Sequence, residues 1–284
     1  MPFTFAHPAA IIPINSRFKS KFCLTGLVLG SMAPDFEYFI RLKPYSAYGH
    51  NLIGFFVLNL PLCFLLAFIF HSFLKATLIV HMPKPLNNWL GIFTKPWNLS
   101  SLKKVIVFAY SALLGMLSHV IWDSFTHAEG IFVKLIPVLS TKIIVIGYTI
   151  FLYKILQHSS TIIGMFIILV YLYKKRDLNS KAVAITSGKK LLFYLIITIS
   201  SLILAFGIIY IKFHSVGSVN IGSIVVIVID CLFLGTLISS LISRVWHKPR
   251  VIIKFIPFGV AVSAKITTKK LLQPQPKRQR KKRS

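Results

Sequence analysis

The chain has 284 residues, of which 55% are hydrophobic and 14% charged. This composition excludes an ordinary soluble globule and is typical of a protein that crosses a membrane several times. The formal net charge of +27 comes from 33 Lys and Arg against six Asp and Glu. Because the excess lies in loops and a tail, and not in a folded basic domain, it favours a topology signal over nucleic-acid binding. The cysteines, Cys23, Cys63 and Cys231, lie far apart without a CxxC pair, so neither a disulfide framework nor a thiolate metal site is predicted.

Hydrophobic runs long enough to cross a bilayer recur along the chain. The sequence predicts about six transmembrane helices, the first of them short, over residues 18–33, 50–73, 105–126, 149–175, 191–212 and 221–243. The connection 128–148 is apolar but broken by Gly130, Pro137 and Gly147, and we expect it to lie on the surface or to re-enter the membrane. The predicted fold class is an all-α polytopic membrane protein with a polar His/Asp cluster between its first four helices.

Basic loops set the predicted orientation. Lysines and arginines concentrate in loops 74–104 and 174–190 and beyond Arg244, so the positive-inside rule places these segments and both termini in the cytoplasm. The polar motifs lie early in the chain, which suggests three domains: 1–175 with the working site, 176–243 as an accessory transmembrane hairpin, and 244–284 as a basic tail. The predicted location is the bacterial cytoplasmic membrane.

The segment Ser118–His127, SHVIWDSFTH, closes the span over 105–126. His119 and Asp123 are four residues apart and therefore lie on one face of a helix, and His127 extends that stripe by another turn. An imidazole and a carboxylate so placed are metal ligands in many proteins. The alternative is a buried polar pair that holds helices together in lipid.

Other polar residues are predicted to reach the same face of the membrane. Four of the six acids, Asp35, Glu37, Asp123 and Glu129, lie beside histidines or within the polar motifs. Counted from the basic loops at about 1.5 Å per residue, the histidines lie roughly 23–38 Å from the cytoplasmic ends of their helices. The residues expected to converge are Asp35, His50, His119, Asp123, His127 and His158. His7 does not fit six alternating spans. Either residues 1–15 dip back into the membrane, or helix 18–33 is too short to span and packs within the protein, or His7 is not a ligand.

Neutral imidazoles and carboxylates suit Zn²⁺ or another first-row divalent ion. Two ions about 3.5–4 Å apart would use this many ligands and would favour phosphoester hydrolysis. Glu37 is expected to orient a ligand histidine or to be exposed. Arg41 and Lys43 lie in the same outer loop and would either bind a substrate phosphate or remain solvated.

Four segments carry a resemblance to a known family: MPFTFAHPAA, GSMAPDFEYF, SHVIWDSFTH and LQHSS. Over roughly residues 1–175 they resemble the bacterial membrane proteins of domain-of-unknown-function family 4184. That family has no established activity to transfer.

The order of ligand-type residues is also similar to that of the zinc-dependent phospholipase C and single-strand nuclease family, and of inner-membrane metal-dependent hydrolases. The likeness implies Asp35 as general base and the following metal ligands: His7, Asp35, His50, His119, Asp123, His127 and His158. Two positions depart from the phospholipase pattern: Ile162 replaces a second carboxylate, and the chain starts Met1-Pro2 without the tryptophan ligand. One or two zinc ions are therefore expected, and not three.

Together these observations predict a membrane-bound metal-dependent hydrolase, acting on a phosphoester of a lipid or lipid-linked substrate at the extracytoplasmic face. A metal or ion transporter and a non-catalytic structural membrane protein are the alternatives. A transporter would place its polar ligands near mid-membrane, whereas these residues cluster at one interface.

Overall fold

The computed structural model describes residues 3–18, 20–94, 96–145, 147–179 and 185–246. Its helices are α1 (Pro8–Arg17), α2 (Leu24–Met32), α3 (Phe36–Arg41), α4 (Leu52–His81), α5 (Leu86–Trp89), α6 (Leu102–Thr126), α7 (Ile131–Leu135), α8 (Leu152–Lys174), α9 (Ser187–Val216) and α10 (Ile221–Trp246). Short 3-10 turns lie at Thr4–Ala6, Ala33–Asp35, Gly91–Thr94 and Pro137–Ser140, and two strands, β1 (Lys142–Val145) and β2 (Tyr148–Phe151), form a hairpin. Most of the predicted basic tail, from residue 247 onwards, lies outside the described residues.

Five described helical segments are long and apolar enough to cross a membrane: Leu52–His81, Leu102–Leu135, Leu152–Lys174, Ser187–Val216 and Ile221–Val245. The predicted class, an all-α polytopic membrane protein, is confirmed. The segments pack side by side and expose many large apolar residues, as a helix bundle in lipid does. The hairpin of β1 and β2 was not anticipated from the sequence.

The first of the six predicted helices, 18–33, does not have membrane-spanning length. Its helical part, α2, has nine residues and is about 14 Å long, which is less than half of the hydrocarbon core. It packs against α6 at backbone distance, because Gly30 faces the backbone of Ala112 and Gly115 faces the backbone of Leu27. The short α2 is therefore held inside the bundle. This agrees with the alternative in which helix 18–33 is too short to span the membrane, so that His7 can lie at the same face as the other polar residues.

Helix α6 is the central element of the bundle. Its first turn is capped by Ser101, whose side chain accepts a hydrogen bond from the amide of Lys104. The buried side of α6 carries residues spaced three or four apart along the helix: Phe108, Ala112, Met116, His119 and Asp123. The apolar part of this stripe packs in the main core with Ala33, Phe36, Phe55, Cys63 and Ala67. The same stripe continues into the polar residues, so the packing of α6 also fixes their direction.

The N-terminal segment lies at the same end of the bundle as Asp123, since His7 contacts Asp123 directly. From there α1 and α2 form a hairpin: the amide of Cys23 bonds to Ser111 in α6, and Asp35 then returns to the vicinity of Asp123. The bundle therefore combines five long segments with a short helical hairpin that starts and ends at one face. This differs from the alternation of six spans expected from the sequence.

The last two helices contact the loop that follows α3. Lys212 of α9 donates a hydrogen bond to the carbonyl of Leu42 over 2.6 Å, and Gly222 of α10 lies against Pro44. Leu42 has a left-handed backbone conformation with φ of 53°, which is uncommon for a residue with a branched side chain. The predicted accessory hairpin thus touches the segment that leads to His50.

Candidate metal centre

Helix α6 presents the first two residues of the site. His119 is fully buried, and its Nδ1 donates to the carbonyl of Ser31 in α2 over 2.8 Å. This bond fixes the ring and leaves Nε2 as the nitrogen available to a ligand, an arrangement common for metal-binding histidines. One turn further on, Asp123 Oδ2 lies 3.2 Å from His119 Nε2. The i,i+4 pair expected from the sequence is therefore formed.

Asp35 reaches the site from the turn after α2. Pro34 lies in the 3-10 turn Ala33–Asp35, and the side chain of Asp35 is fully buried. The hydroxyl of Thr4 donates to Asp35 Oδ2 over 2.6 Å, which leaves Oδ1 directed at the histidines. Asp35 Oδ1 lies 3.6 Å from both His50 Nε2 and His119 Nε2.

The position of His50 depends on the turn that precedes it, and Glu37 organises that turn. Its Oε2 accepts hydrogen bonds from the hydroxyl of Ser46 and from three backbone amides, over 2.7 to 3.0 Å, those of Ala47, Tyr48 and Gly49. Ser46 Oγ in turn lies 3.3 Å from His50 Nδ1, and Asn59 of α4 donates to the carbonyl of Gly49. Glu37 therefore acts on His50 through the backbone of this turn and through the hydroxyl of Ser46, and not by direct contact with the ring.

The environment of Glu37 stabilises its charged form. Burial by itself would raise the pKa of this carboxyl, but the hydrogen bonds from Tyr48, Ser46, Ala47 and Gly49 outweigh it and hold the pKa well below its usual 4.5.

The other oxygen of Glu37, Oε1, pairs with Arg41 over 2.6 Å. Arg41 is thus committed to Glu37, and the ammonium of Lys43 lies over the ring of Tyr45. These contacts favour a structural role for both basic residues over phosphate binding.

Four ligand atoms, one each from Asp35, His50, His119 and Asp123, lie within 4.8 Å of one another. The four His–Asp distances among them are 3.2, 3.6, 3.6 and 3.8 Å. A tetrahedral ion with bonds of about 2.0–2.2 Å separates its ligand atoms by about 3.3–3.6 Å. Four of the six separations in the quartet are therefore within about 0.2 Å of the edges of such a tetrahedron.

Unmet hydrogen bonds and charge also fit a cation. Asp35 Oδ1 and His119 Nε2 are buried, and neither has a hydrogen-bond partner among the described residues. In the described part of the chain the ion-pair partners of both aspartates are histidines, and neither Lys nor Arg. With neutral imidazoles the site would hold two negative charges in a buried setting, and a dication balances them.

Two further predicted residues flank the quartet. His7 Nε2 lies 3.1 Å from Asp123 Oδ1, and its ring stacks on that of His119 with centroids 3.9 Å apart. His127 Nδ1 lies 3.1 Å from the carbonyl of Asp123 and 3.6 Å from its Oδ1. Both histidines therefore surround the oxygen of Asp123 that points away from the quartet.

His158 is not brought to the quartet. It lies on the exposed side of α8, and the buried neighbour Gln157 points inward instead. Gln157 Nε2 donates to His127 Nε2 over 3.4 Å, and this nitrogen accepts because Nδ1 donates to the carbonyl of Asp123. Gln157 thus fixes the orientation of His127.

Thr4 and Tyr38 also belong to the site, although sequence reasoning did not single them out. Thr4 lies three residues before His7 and supports Asp35; only its place in the motif MPFTFAHPAA could have indicated it. The ring of Tyr38 lies 6.0 Å from that of His50. Burial, and then the charges of Asp35, Asp123 and Glu37, raise the pKa of Tyr38 far above its usual value, so it stays a neutral phenol.

The fold and the site together define a polytopic helical membrane protein with a His/Asp cluster that could hold a metal ion. The model of the family described as a domain of unknown function, DUF4184, matches residues 1–241. The chain belongs to this family, which confirms the resemblance seen in its motifs and extends it through most of α10. No curated protein and no solved structure shows significant similarity to the chain.

Proposed function

We propose that this protein is a membrane-bound, metal-dependent hydrolase that acts on a phosphoester of a lipid or lipid-linked substrate at the extracytoplasmic face of the bacterial inner membrane. The observation that carries the proposal is the buried quartet of Asp35, His50, His119 and Asp123 at one end of helices of membrane-spanning length. Zn²⁺ is the proposed ion, because two imidazole nitrogens and two carboxylate oxygens suit it.

A bound Zn²⁺ would supply a water molecule that ionises near neutral pH and would polarise a phosphoryl oxygen. His7 and Asp123, whose Nε2 and Oδ1 lie 3.1 Å apart, are proposed ligands of a second ion. His127, whose Nδ1 donates to the carbonyl of Asp123 and whose Nε2 accepts from Gln157, would join them as a ligand by giving up one of these hydrogen bonds. Asp35 is the proposed general base as well as a ligand, because its buried Oδ1 accepts no hydrogen bond from the described residues and faces His50 and His119.

Access to the quartet is from one side. The side chains of His50 and His127 are 31% and 29% exposed, while those of His119 and Asp35 are almost fully buried. Substrate therefore approaches past His50 and His127, and the protein closes the opposite side of the site.

The depth of the site agrees with a substrate held at the membrane surface. Asp123 follows Lys104 by 19 residues in α6, which places it about 28 Å above that lysine, close to the thickness of the hydrocarbon core. Lys103, Lys104, Lys174 and Lys175 lie at the other end of the bundle, so the positive-inside rule favours an extracytoplasmic site. On this orientation residues 3–7 are extracytoplasmic as well, which revises the expectation that both termini face the cytoplasm.

Metal analysis of the purified protein tests the site. Wild type should carry one or two equivalents of zinc, and His119→Ala should carry markedly less. His214→Ala, which changes an exposed histidine of α9, is the matched control and should equal wild type. Metal-free wild type after purification without chelators would overturn the proposal.

Turnover tests the reaction class. Wild type should hydrolyse phosphodiester or phosphomonoester lipids, and Asp35→Asn should not. Bound metal without hydrolysis of either substrate class would overturn the hydrolase proposal and favour the transporter alternative.

Orientation has its own test. A cysteine at the exposed Ala47 should react with an impermeant reagent from outside, and one at Ser100 only after the membrane is opened. The reverse pattern would overturn the proposed face.

A further inference from the structure

A chain of hydrogen bonds leads from the quartet to the surface of α8. Asp123 is bonded by His127, and His127 accepts a hydrogen bond from Gln157. The Oε1 of Gln157 accepts in turn from the ammonium of Lys154 over 2.8 Å. A basic side chain on α8 is thus joined to the open side of the site by three consecutive contacts.

Lys154 begins a stripe of residues that runs along α8 towards the other face of the membrane. His158 follows one turn later and is exposed. Ile162, Phe166 and Leu169 continue the same side of the helix and are 72%, 65% and 60% exposed. We call these five residues, Lys154, His158, Ile162, Phe166 and Leu169, the α8 stripe.

The polar end of the α8 stripe lies at headgroup depth. Lys154 precedes Lys174 by 20 residues in the same helix, a rise of about 30 Å, which equals the thickness of the hydrocarbon core. This level agrees with the value of about 28 Å for Asp123 in α6. The three apolar members lie below it, at the depth of acyl chains.

Other described basic side chains at this end make contacts away from the site. Arg41 pairs with Glu37, Lys134 pairs with Glu129, and the ammonium of Lys212 is held by the carbonyl of Leu42. The ammonium groups of Lys43 and Lys142 lie over the rings of Tyr45 and Phe151. Lys154, by contrast, is tied to the cluster through Gln157. A positive charge of the α8 stripe is therefore linked by hydrogen bonds to His127 at the open side of the site.

We propose that the α8 stripe is the docking surface for one membrane lipid with a phosphate-bearing head. Lys154 and His158 donate hydrogen bonds to the phosphate oxygens, and an acyl chain lies along Ile162, Phe166 and Leu169. The phosphate is thereby held next to His127, at the open side of the quartet. This inference rests on the proposed function and adds the residues and the route by which the lipid reaches the site. It also gives His158, which does not reach the quartet, a role in substrate binding.

The test is photo-labelling of the purified full-length protein in detergent with phosphatidic acid that carries a diazirine in one acyl chain. We expect the label in residues 152–174. Unlabelled phosphatidic acid should compete about tenfold better than diacylglycerol with the same chains, because only the former offers a phosphate to the basic residues. Lys154→Ala and His158→Ala should each reduce labelling about fivefold, Lys154→Arg should restore it, and Lys142→Ala in the exposed hairpin is the matched control.

Equal competition by diacylglycerol, or labelling that neither alanine variant lowers, would overturn the docking proposal. The readout is separate from catalysis, because His119→Ala removes a proposed ligand of the ion but leaves the α8 stripe intact and should still be labelled. Charge-dependent labelling without turnover would uphold docking and overturn the hydrolase. Turnover with labelling insensitive to Lys154 and His158 would do the reverse.

Discussion

Glu37→Gln is the most informative single substitution outside the quartet. It keeps the size of the side chain but removes the charge that receives hydrogen bonds from Ser46, Ala47, Tyr48 and Gly49. Hydrogen bonds to a charged group contribute about 1.5–3 kcal/mol each and neutral ones about 0.5–1.5 kcal/mol. Over four bonds that are partly redundant, we expect a loss of about 2–4 kcal/mol in the free energy of unfolding.

The loss should also reach the metal centre. Because Glu37 holds the turn that precedes His50, the substitution should weaken metal binding about 10- to 100-fold, as for other partners that support a ligand. Thermal unfolding of the protein in detergent and competition with a chelator of known affinity measure the two effects. The matched control is Glu129→Gln, which removes an exposed pair with Lys134 and should leave the free energy of unfolding nearly unchanged. Unchanged Tm and unchanged zinc affinity in Glu37→Gln would refute the role assigned to Glu37.

The pH dependence of stability gives a further check on the same residue. The folded state depresses the pKa of Glu37 below its usual 4.5, so the stabilisation is complete above that pH. The stabilisation decreases as the pH falls below 4.5, because the unfolded state then takes up a proton at this carboxyl while the folded state keeps it ionised. Wild type should therefore lose more stability than Glu37→Gln when the pH is lowered from 5 to 3.5, and parallel loss in both would contradict the depressed pKa.

Three more predictions concern the supports of the site and its ion. Thr4→Val removes the hydroxyl that donates to Asp35 and should weaken zinc binding about 10-fold or more. Thr236→Val, which alters a half-buried threonine of α10 bonded within its own helix, should not; equal affinities would contradict the role of Thr4. Gly115→Ala places a methyl group against the backbone of α2 and should lower stability by about 1–3 kcal/mol, while Gly207→Ala, where nothing lies within 4 Å, should be tolerated in the same unfolding assay. Removal of zinc by a chelator should lower the Tm of wild type. The shift should be equivalent to about 4 kcal/mol if zinc was present at about 1,000 times its Kd. The Tm of His119→Ala should not change, and equal shifts in the two proteins would argue against binding at the quartet.

The buried hairpin of α1 and α2 explains how a site with this many supports forms. Its start supplies the side chains of Thr4 and His7, and its end supplies the carbonyl of Ser31 and the side chain of Asp35, so one short excursion delivers two groups from each end to the same face. A single crossing by residues 18–33 would have carried the two ends to opposite faces. The return of the chain through α1 and α2 is thus a condition for the site.

Local sequence properties determined the class of the protein and the central pair of the site. Apolar runs of membrane length predicted the spans, because the bilayer sets the length of a crossing helix. The spacing of His119 and Asp123 predicted one helix face, because that relation depends only on the period of an α-helix. The basic loops likewise gave the relative depth of Asp35, His50 and Asp123 without knowledge of any contact.

Tertiary packing decided the rest of the site. Whether residues 18–33 cross the membrane depended on the close approach of Gly30 and Gly115 to neighbouring backbones, which no local pattern encodes. The choice of Gln157 over His158 as the inward residue depended on the rotation of α8 about its axis, since consecutive residues on a helix differ by about 100°. Glu37 could be assigned only once the turn of residues 46–49 was in place, because its partners are backbone amides whose direction the sequence does not specify.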